Sequence, residues 1–226
     1  MNKLYIAEIE PLTKEALYEK ALSLVGEQRR EQAEKMKNPS DKARSAAAGL
    51  LLRYAVMQHA FISWDGSYHV GGHGKPELPK EYGLYFNLSH SGKYAVCAIS
   101  DHNIGTDIQI HRGERENLAK RFFHPEELEY LKKADDRMKC FYDLWCLKES
   151  YIKYTGRGLG AGLNRFSVVP LYLHKELWID GVRCMGIYDP DYIRLDLQEL
   201  VENECCSESV EKGPMEGYSL AMVAAI

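Results

Sequence analysis

The sequence holds no run of apolar residues long enough to span a bilayer, and its opening stretch MNKLYIAEIEPL lacks the apolar core of a signal peptide. Its 6 cysteines show no C-x-x-C spacing. That argues against a zinc ribbon, a redox pair or a disulfide framework, and it fits reduced thiols in a cytoplasmic protein. Neither an H-E-x-x-H pair nor a G-x-S-x-G elbow occurs. The Gly-rich stretch GGHGKPEL has Pro76 where a Walker phosphate loop needs Ser or Thr. Those absences remove the zinc proteases, the α/β-hydrolases and the P-loop NTPases. Positive charge is not in excess either: 29 Lys and Arg stand against 33 Asp and Glu, a net charge of −4, unlike most nucleic-acid binders. What is present is an ordinary globular composition, 226 residues with 45% hydrophobic and 27% charged, enough for one large domain or two small ones with a sizeable core.

The strand KLYIAEI opens the chain, and residues 13–36 form a charged, helix-prone segment. NPSDKARSAAAGLLLRYAVMQHA predicts a long core helix with Ser40 as its N-cap. Gly and Pro in VGGHGKPELP interrupt the chain, and strand patterns follow at 84–89, 94–100 and 104–110. Pro125 and Glu126 open a helix through Lys133, and a longer helix covers about 137–154. Strands are expected at 165–169, 176–179, 184–188 and 217–224, with ENECCSESVEKGP as an exposed loop. YAVCAIS at 94–100 and YSLAMVAA at 218–225 echo one another as closing strands of two half-chains. Sheet and helix without regular βαβ alternation predict an α+β fold of two similar halves, 1–103 and 104–226.

The stretch FYDLWCLKESYIKYTGRGL (141–159) raises a chemical question. At helical spacing Phe141, Leu144, Trp145 and Ile152 share a face; Lys148 falls inside that stripe, and Glu149 lies beside it with Lys153 one turn on. Buried charge is costly unless paired or coordinated, so this is either a structural ion pair or a site for something charged. In IGTDIQI, period two puts Ile104, Ile108 and Ile110 on one face and Asp107 and Gln109 on the other. Read alone, the second face is either simply solvated or part of a hard-oxygen site for Mg²⁺ completed by Glu149. GGHGKPEL is either a plain turn or a close backbone approach to a nucleotide near Gly74 and Lys75. FNLSHSGKYAV places Asn87, Ser89 and His90 before a Gly turn, where His90 either caps the turn or donates to a phosphate.

In this order, GKPEL, FNLSHSG, IGTDIQ, FF with PEELEYL, WCLKESYIKYTGRGL and RFSV resemble the Sfp-type 4′-phosphopantetheinyl transferases from about residue 26 to 169, and GYSLAMVAA extends the match. The resemblance implies two halves related by a pseudo-two-fold axis with the active site in the cleft between them. It implies transfer of the phosphopantetheine arm of coenzyme A to a serine of an apo acyl or peptidyl carrier protein, releasing adenosine 3′,5′-bisphosphate. Asp107, Gln109 and Glu149 would bind Mg²⁺. Glu149 would act as base and Lys153 would meet the pyrophosphate; Ser89 and His90, with Asn87 beside them, would meet the coenzyme A phosphates. Gly74 and Lys75 would line the adenine end, with Arg29 at the 3′-phosphate and Arg44 and Ser45 nearby. Gln109 departs from the Glu of many bacterial members, which leaves the third ligand between its amide and a water. The competing readings are another Mg²⁺-dependent phosphotransfer or phosphodiester enzyme and a non-catalytic coenzyme A or carrier-protein binding module. The resemblance further implies a monomer, and the charge balance and the lack of a membrane-length apolar run argue against nucleic-acid and membrane partners. Arg112, Arg115, Lys120 and Arg121, beside Phe122 and Phe123, would either dock the carrier or form a solvated face over a buried aromatic pair.

Overall fold

The β-branched and aromatic runs become strands and the alanine- and leucine-rich runs helices in the computed structural model, which describes residues 1–60, 63–71, 74–113, 115–158, 162–179 and 182–225. In chain order the first elements are β1 (Asn2–Glu8), α1 (Glu15–Leu24), α2 (Glu27–Glu34), α3 (Pro39–Ala60), β2 (His69–Val70), β3 (Pro76–Glu77), β4 (Tyr85–Ser91), β5 (Tyr94–Ser100) and β6 (Ile104–Ile110). Then come α4 (Glu116–Phe122), α5 (Pro125–Lys133), α6 (Arg137–Thr155), α7 (Val169–His174), β7 (Glu176–Ile179) and β8 (Val182–Tyr188). The chain closes with β9 (Tyr192–Leu195), α8 (Leu197–Asn203), β10 (Glu208–Glu211) and β11 (Tyr218–Ala225). One sheet runs β10-β9-β1-β5-β4 and a second β6-β11-β8-β7, with a small β2-β3 hairpin apart. Among the described residues the pairings are antiparallel except β1 with β9.

Alternation along the strands sorts the core into layers. On β1, Tyr5 and Ala7 pack with Ala47, Leu50 and Leu51 of α3. The alternate Leu4 and Ile6 share a second core with Ile104 and Ile108 of β6 and Leu220 and Met222 of β11. Ala221 and Val223, on the other face of β11, pack with Leu144 and Leu147 of α6. The two sheets thus face one another, each backed by helices.

Edge strands β4 and β6 are joined by side chains instead of a backbone ladder. The Asn87 Oδ1 accepts the Thr106 N–H (2.9 Å), the Ser89 Oγ accepts the Ile108 N–H (3.4 Å) and the Ser91 Oγ accepts the Ile110 N–H (3.0 Å). Every second residue of β4 therefore satisfies every second N–H of β6, groups that would otherwise be orphaned at two sheet edges. Gly105 adds a close approach: a Cβ there would lie 2.1 Å from the Ser150 carbonyl oxygen and 2.4 Å from the Tyr154 nitrogen. Glycine is what lets α6 sit directly on β6.

Some sequence expectations need correction. Ser40 lies inside α3; it is Asn38 whose Oδ1 accepts the Ser40 N–H at 2.8 Å and ends the preceding chain. Residues 165–169 are not a strand but the end of a tight turn and the start of α7, with Pro170 in its first turn. ENECCSESVEKGP is only partly loop, since Glu208–Glu211 forms β10. Together β9 and β10 return from the second half of the chain to extend the sheet of β1. Strands β5 and β11, which echo in sequence, are each interior strands with a neighbour on both sides.

Candidate active site

Asp107 and Gln109 lie on the face of β6 that Gly105 opens to α6, and α6 brings Glu149 and Lys153 to that face. Asp136 caps the amino end of α6 by accepting the Lys139 N–H, and Gly156, with φ of +66°, ends it. Asp107 is buried and collects donors: the Lys153 Nζ at 2.6 Å and the Ser89 hydroxyl at 2.7 Å on Oδ1, and the Gln109 Nε2 at 3.0 Å on Oδ2. Lys153 also donates to the Thr106 carbonyl at 3.0 Å. Glu149 is half-buried, and burial holds its carboxyl above the usual carboxylate range, with the Asp107 charge raising it further and Lys153 partly offsetting both.

Above this floor is a cleft of about 530 Å³. Glu149, Lys153, Ser89, His90, Arg29, Gly74, Lys75 and Asn87 are among the residues that line it. Arg29 lies with its guanidinium carbon 5.7 Å from the Tyr68 ring centroid, and burial lowers its affinity for the proton. Among the described residues, the Arg29 Nε and the Tyr68 hydroxyl are buried without a hydrogen-bond partner, both in the wall of this cleft. Arg44 and Gln109 instead line an adjoining groove of about 440 Å³ with Arg112, Arg115 and Trp145, and His90 belongs to both. Arg44 is committed to the Gly92 carbonyl (2.7 Å) and the Asp41 carboxylate. Ser45 is buried inside α3. His90 is held below its ordinary value by burial first and then by Arg44, Lys153 and Arg29.

Lys148 belongs elsewhere. It is fully buried and donates at 2.7 Å to both carboxylate oxygens of Glu127 and to the Phe166 carbonyl. Burial pushes the Glu127 carboxyl up and the Lys148 ammonium down, and each partner pulls the other back. Of the two answers open for this helix, Lys148 takes the structural ion pair and Glu149 faces the cleft. Tyr68 gave no signal in sequence, since SYHV reads as neither motif nor clear element.

The donor chemistry of this floor fits a magnesium ion. Two carboxylates on abutting elements carry two negative charges, and Lys153 supplies one positive charge beside them. Among the described residues no group of three His, Cys, Asp or Glu side chains is placed to hold a metal ion by itself. An ion here would thus complete its shell with water or substrate oxygens, as Mg²⁺ commonly does. The Gln109 amide presents its nitrogen to Asp107, so it would have to turn over to offer oxygen.

The model of the 4′-phosphopantetheinyl transferase superfamily matches residues 103–176, and that of the 4′-phosphopantetheinyl transferase N-terminal region matches 10–102. The chain is 34% identical over 187 residues to the 4′-phosphopantetheinyl transferase Sfp of Bacillus subtilis (strain 168), covering 81% of each chain. It is 35% identical over 153 residues to another Bacillus subtilis 4′-phosphopantetheinyl transferase, covering 66% of this chain and 68% of the relative. To the 4′-phosphopantetheinyl transferase gsp of Aneurinibacillus migulanus it is 33% identical over 174 residues, covering 75% and 70%.

Proposed function

Because the chain belongs to the Sfp-type 4′-phosphopantetheinyl transferases, enzymes that move the phosphopantetheine arm of coenzyme A onto a carrier protein, we propose that Asp107, Glu149 and Lys153 form its reaction centre. The observation that carries this reading is the floor of the cleft. There Lys153 lies 2.6 Å from Asp107, and Glu149 stands beside them with a raised carboxyl.

Arg29, in the wall of the cleft, supplies charge for the 3′-phosphate of coenzyme A, while the Gly74–Lys75 backbone borders the adenine. His90 and Lys153 present donors to the pyrophosphate, and Asn87 and Ser89 hold β4, which carries His90, against β6. Mg²⁺, when held by Asp107 and Glu149, supplies Lewis-acid stabilisation of the charge that develops on the leaving phosphate. Lys153 adds a fixed cation at the same place. The carrier serine hydroxyl attacks the phosphorus that bears the pantetheine arm, and the bond to the adenosine 3′,5′-bisphosphate oxygen breaks. Glu149 takes the hydroxyl proton as the general base of the step.

The carrier would enter over the groove of Arg112 and Arg115, next to His90. Among the described residues no helix is long and apolar enough to cross a membrane. A cytoplasmic monomer, built as halves 1–103 and 104–226 about a pseudo-two-fold axis, completes the proposal. Incubation with coenzyme A, Mg²⁺ and a panel of apo carrier proteins, followed by intact mass, tests it. One carrier should gain the mass of one phosphopantetheine group. No gain on any carrier would contradict the reading.

A further inference from the structure

Lys75 borders the cleft, yet its ammonium is used elsewhere. The Nζ donates to the Asn103 Oδ1 at 2.6 Å, the Ile104 carbonyl at 3.2 Å and the Tyr154 carbonyl at 3.4 Å. Asn103 and Tyr154 line a neighbouring groove and not the cleft. Asn103 completes the arrangement: its Nδ2 donates to the same Tyr154 carbonyl, and its Oδ1 also accepts the Ile104 N–H at 3.1 Å. The Tyr154 carbonyl lies in the last turn of α6, where carbonyls lack intrahelical partners and a cation is favoured by the helix dipole. Behind Lys75, its own carbonyl accepts the Gly71 N–H at 2.8 Å, which closes the loop between β2 and β3.

Three pieces of chain that share no backbone ladder thus meet at two side chains: the cleft-lining loop, the first residue of β6 and the last turn of α6. Asp107 follows three residues into β6, and Lys153 immediately precedes Tyr154. We propose that Lys75 and Asn103 are positioning residues that lock the end of α6 onto the start of β6, and so fix Lys153 and Glu149 against Asp107. The inference rests on the reaction centre proposed above and extends it. Lys75 serves the cleft through its backbone, while its charge holds the centre in register.

The test is a double-mutant cycle of Lys75→Met and Asn103→Ala, with both kcat and KM measured. Each single variant should lower kcat about tenfold, since displacements near 1 Å can cost up to 10²-fold, and change the KM for coenzyme A less than about threefold. The double variant should be no worse than the poorer single one, because one arrangement can be broken only once. A rise in the coenzyme A KM with kcat unchanged would show instead that Lys75 binds the ligand through its charge, and would overturn the proposal; so would unchanged kcat in both variants, or additive losses. Amide exchange at residues 153–156 of ligand-free Lys75→Gln needs no catalysis. Faster exchange there, with β5 and β11 unchanged, is expected, and unchanged exchange would overturn the inference. Absence of transfer by the wild-type enzyme to any apo carrier would count against the reaction centre itself, and that exchange would still read the lock.

Discussion

At the scale of single residues, the side chains at 148 and 149 show how differently one helix can use charge. Lys148 Nζ sits against two carboxylate oxygens of Glu127 and a carbonyl, all at 2.7 Å, and Glu127 also accepts the His124 and Val168 N–H groups at 2.8 Å. Lys148→Met leaves that carboxylate buried without its cation, so about 3–5 kcal/mol of stability should be lost. Urea titration reads this directly, and the fraction that stays folded should keep its turnover; an unchanged midpoint would show that the pair is not structural. His90 carries the pH dependence. Its free-enzyme proton affinity is lowered by burial first and then by Arg44, Lys153 and Arg29. A bound polyanion favours the imidazolium, so binding takes up a proton and coenzyme A should bind more tightly as the pH falls toward 5.5. Calorimetric titrations of wild type and His90→Gln check this, because only the wild type should show the part of the trend that comes from the imidazole. Identical slopes would remove His90 from the phosphate contacts.

At the scale of elements, glycines decide what can approach what. Gly49 lies mid-helix in α3, where alanine would ordinarily gain about 1 kcal/mol. A Cβ there would lie 2.8 Å from both the Arg29 Cγ and the Val25 Cγ1, so the stem of Arg29 is seated on this glycine. Gly49→Ala should raise the KM for coenzyme A several-fold and leave that for dephospho-coenzyme A nearly unchanged, because the displaced guanidinium serves the 3′-phosphate. Equal effects on both substrates would contradict that placement. Such seats are invisible in a linear sequence, and they mark where reading it ran out. Strands 94–100 and 104–110 and the helix from Pro125 to Lys133 were legible, because period and breakers agree there. Strand β10 was not, since Glu208–Glu211 has Val210 as its one apolar residue, that residue is exposed, and the strand is held by pairing with β9. Asp107, Glu149 and Lys153 were legible as charges on the faces of their elements that turn toward one another. Tyr68, Asn103 and the ladder from Asn87, Ser89 and Ser91 required the fold, because the groups they meet are distant in sequence.

At the scale of the whole molecule, an enzyme of net charge −4 must meet a carrier protein, typically acidic, through a local patch. Arg112 and Arg115 line the groove beside His90 with the half-exposed Leu118, while Arg121 lies 5.0 Å from the Phe122 ring and Lys120 pairs with Glu116 at 3.1 Å. Phe123 is buried and stacked on Phe141, so only Phe122 of the pair remains near the surface. Reversing Arg115 and Lys120 to Glu should raise the carrier KM, steeply so at low salt where charges act over about 10 Å or more, and leave the coenzyme A KM nearly unchanged. An unaltered carrier KM would place the docking face elsewhere. The central claim is that the cleft floor is the reaction centre, and it is tested most directly by Glu149→Gln in a single-turnover transfer assay read by intact mass, with coenzyme A binding measured on the same sample. The account predicts a folded protein that binds coenzyme A within a few-fold of wild type and transfers it at least about 10²-fold more slowly, the loss expected when a general base is removed. Transfer at the wild-type rate would contradict it.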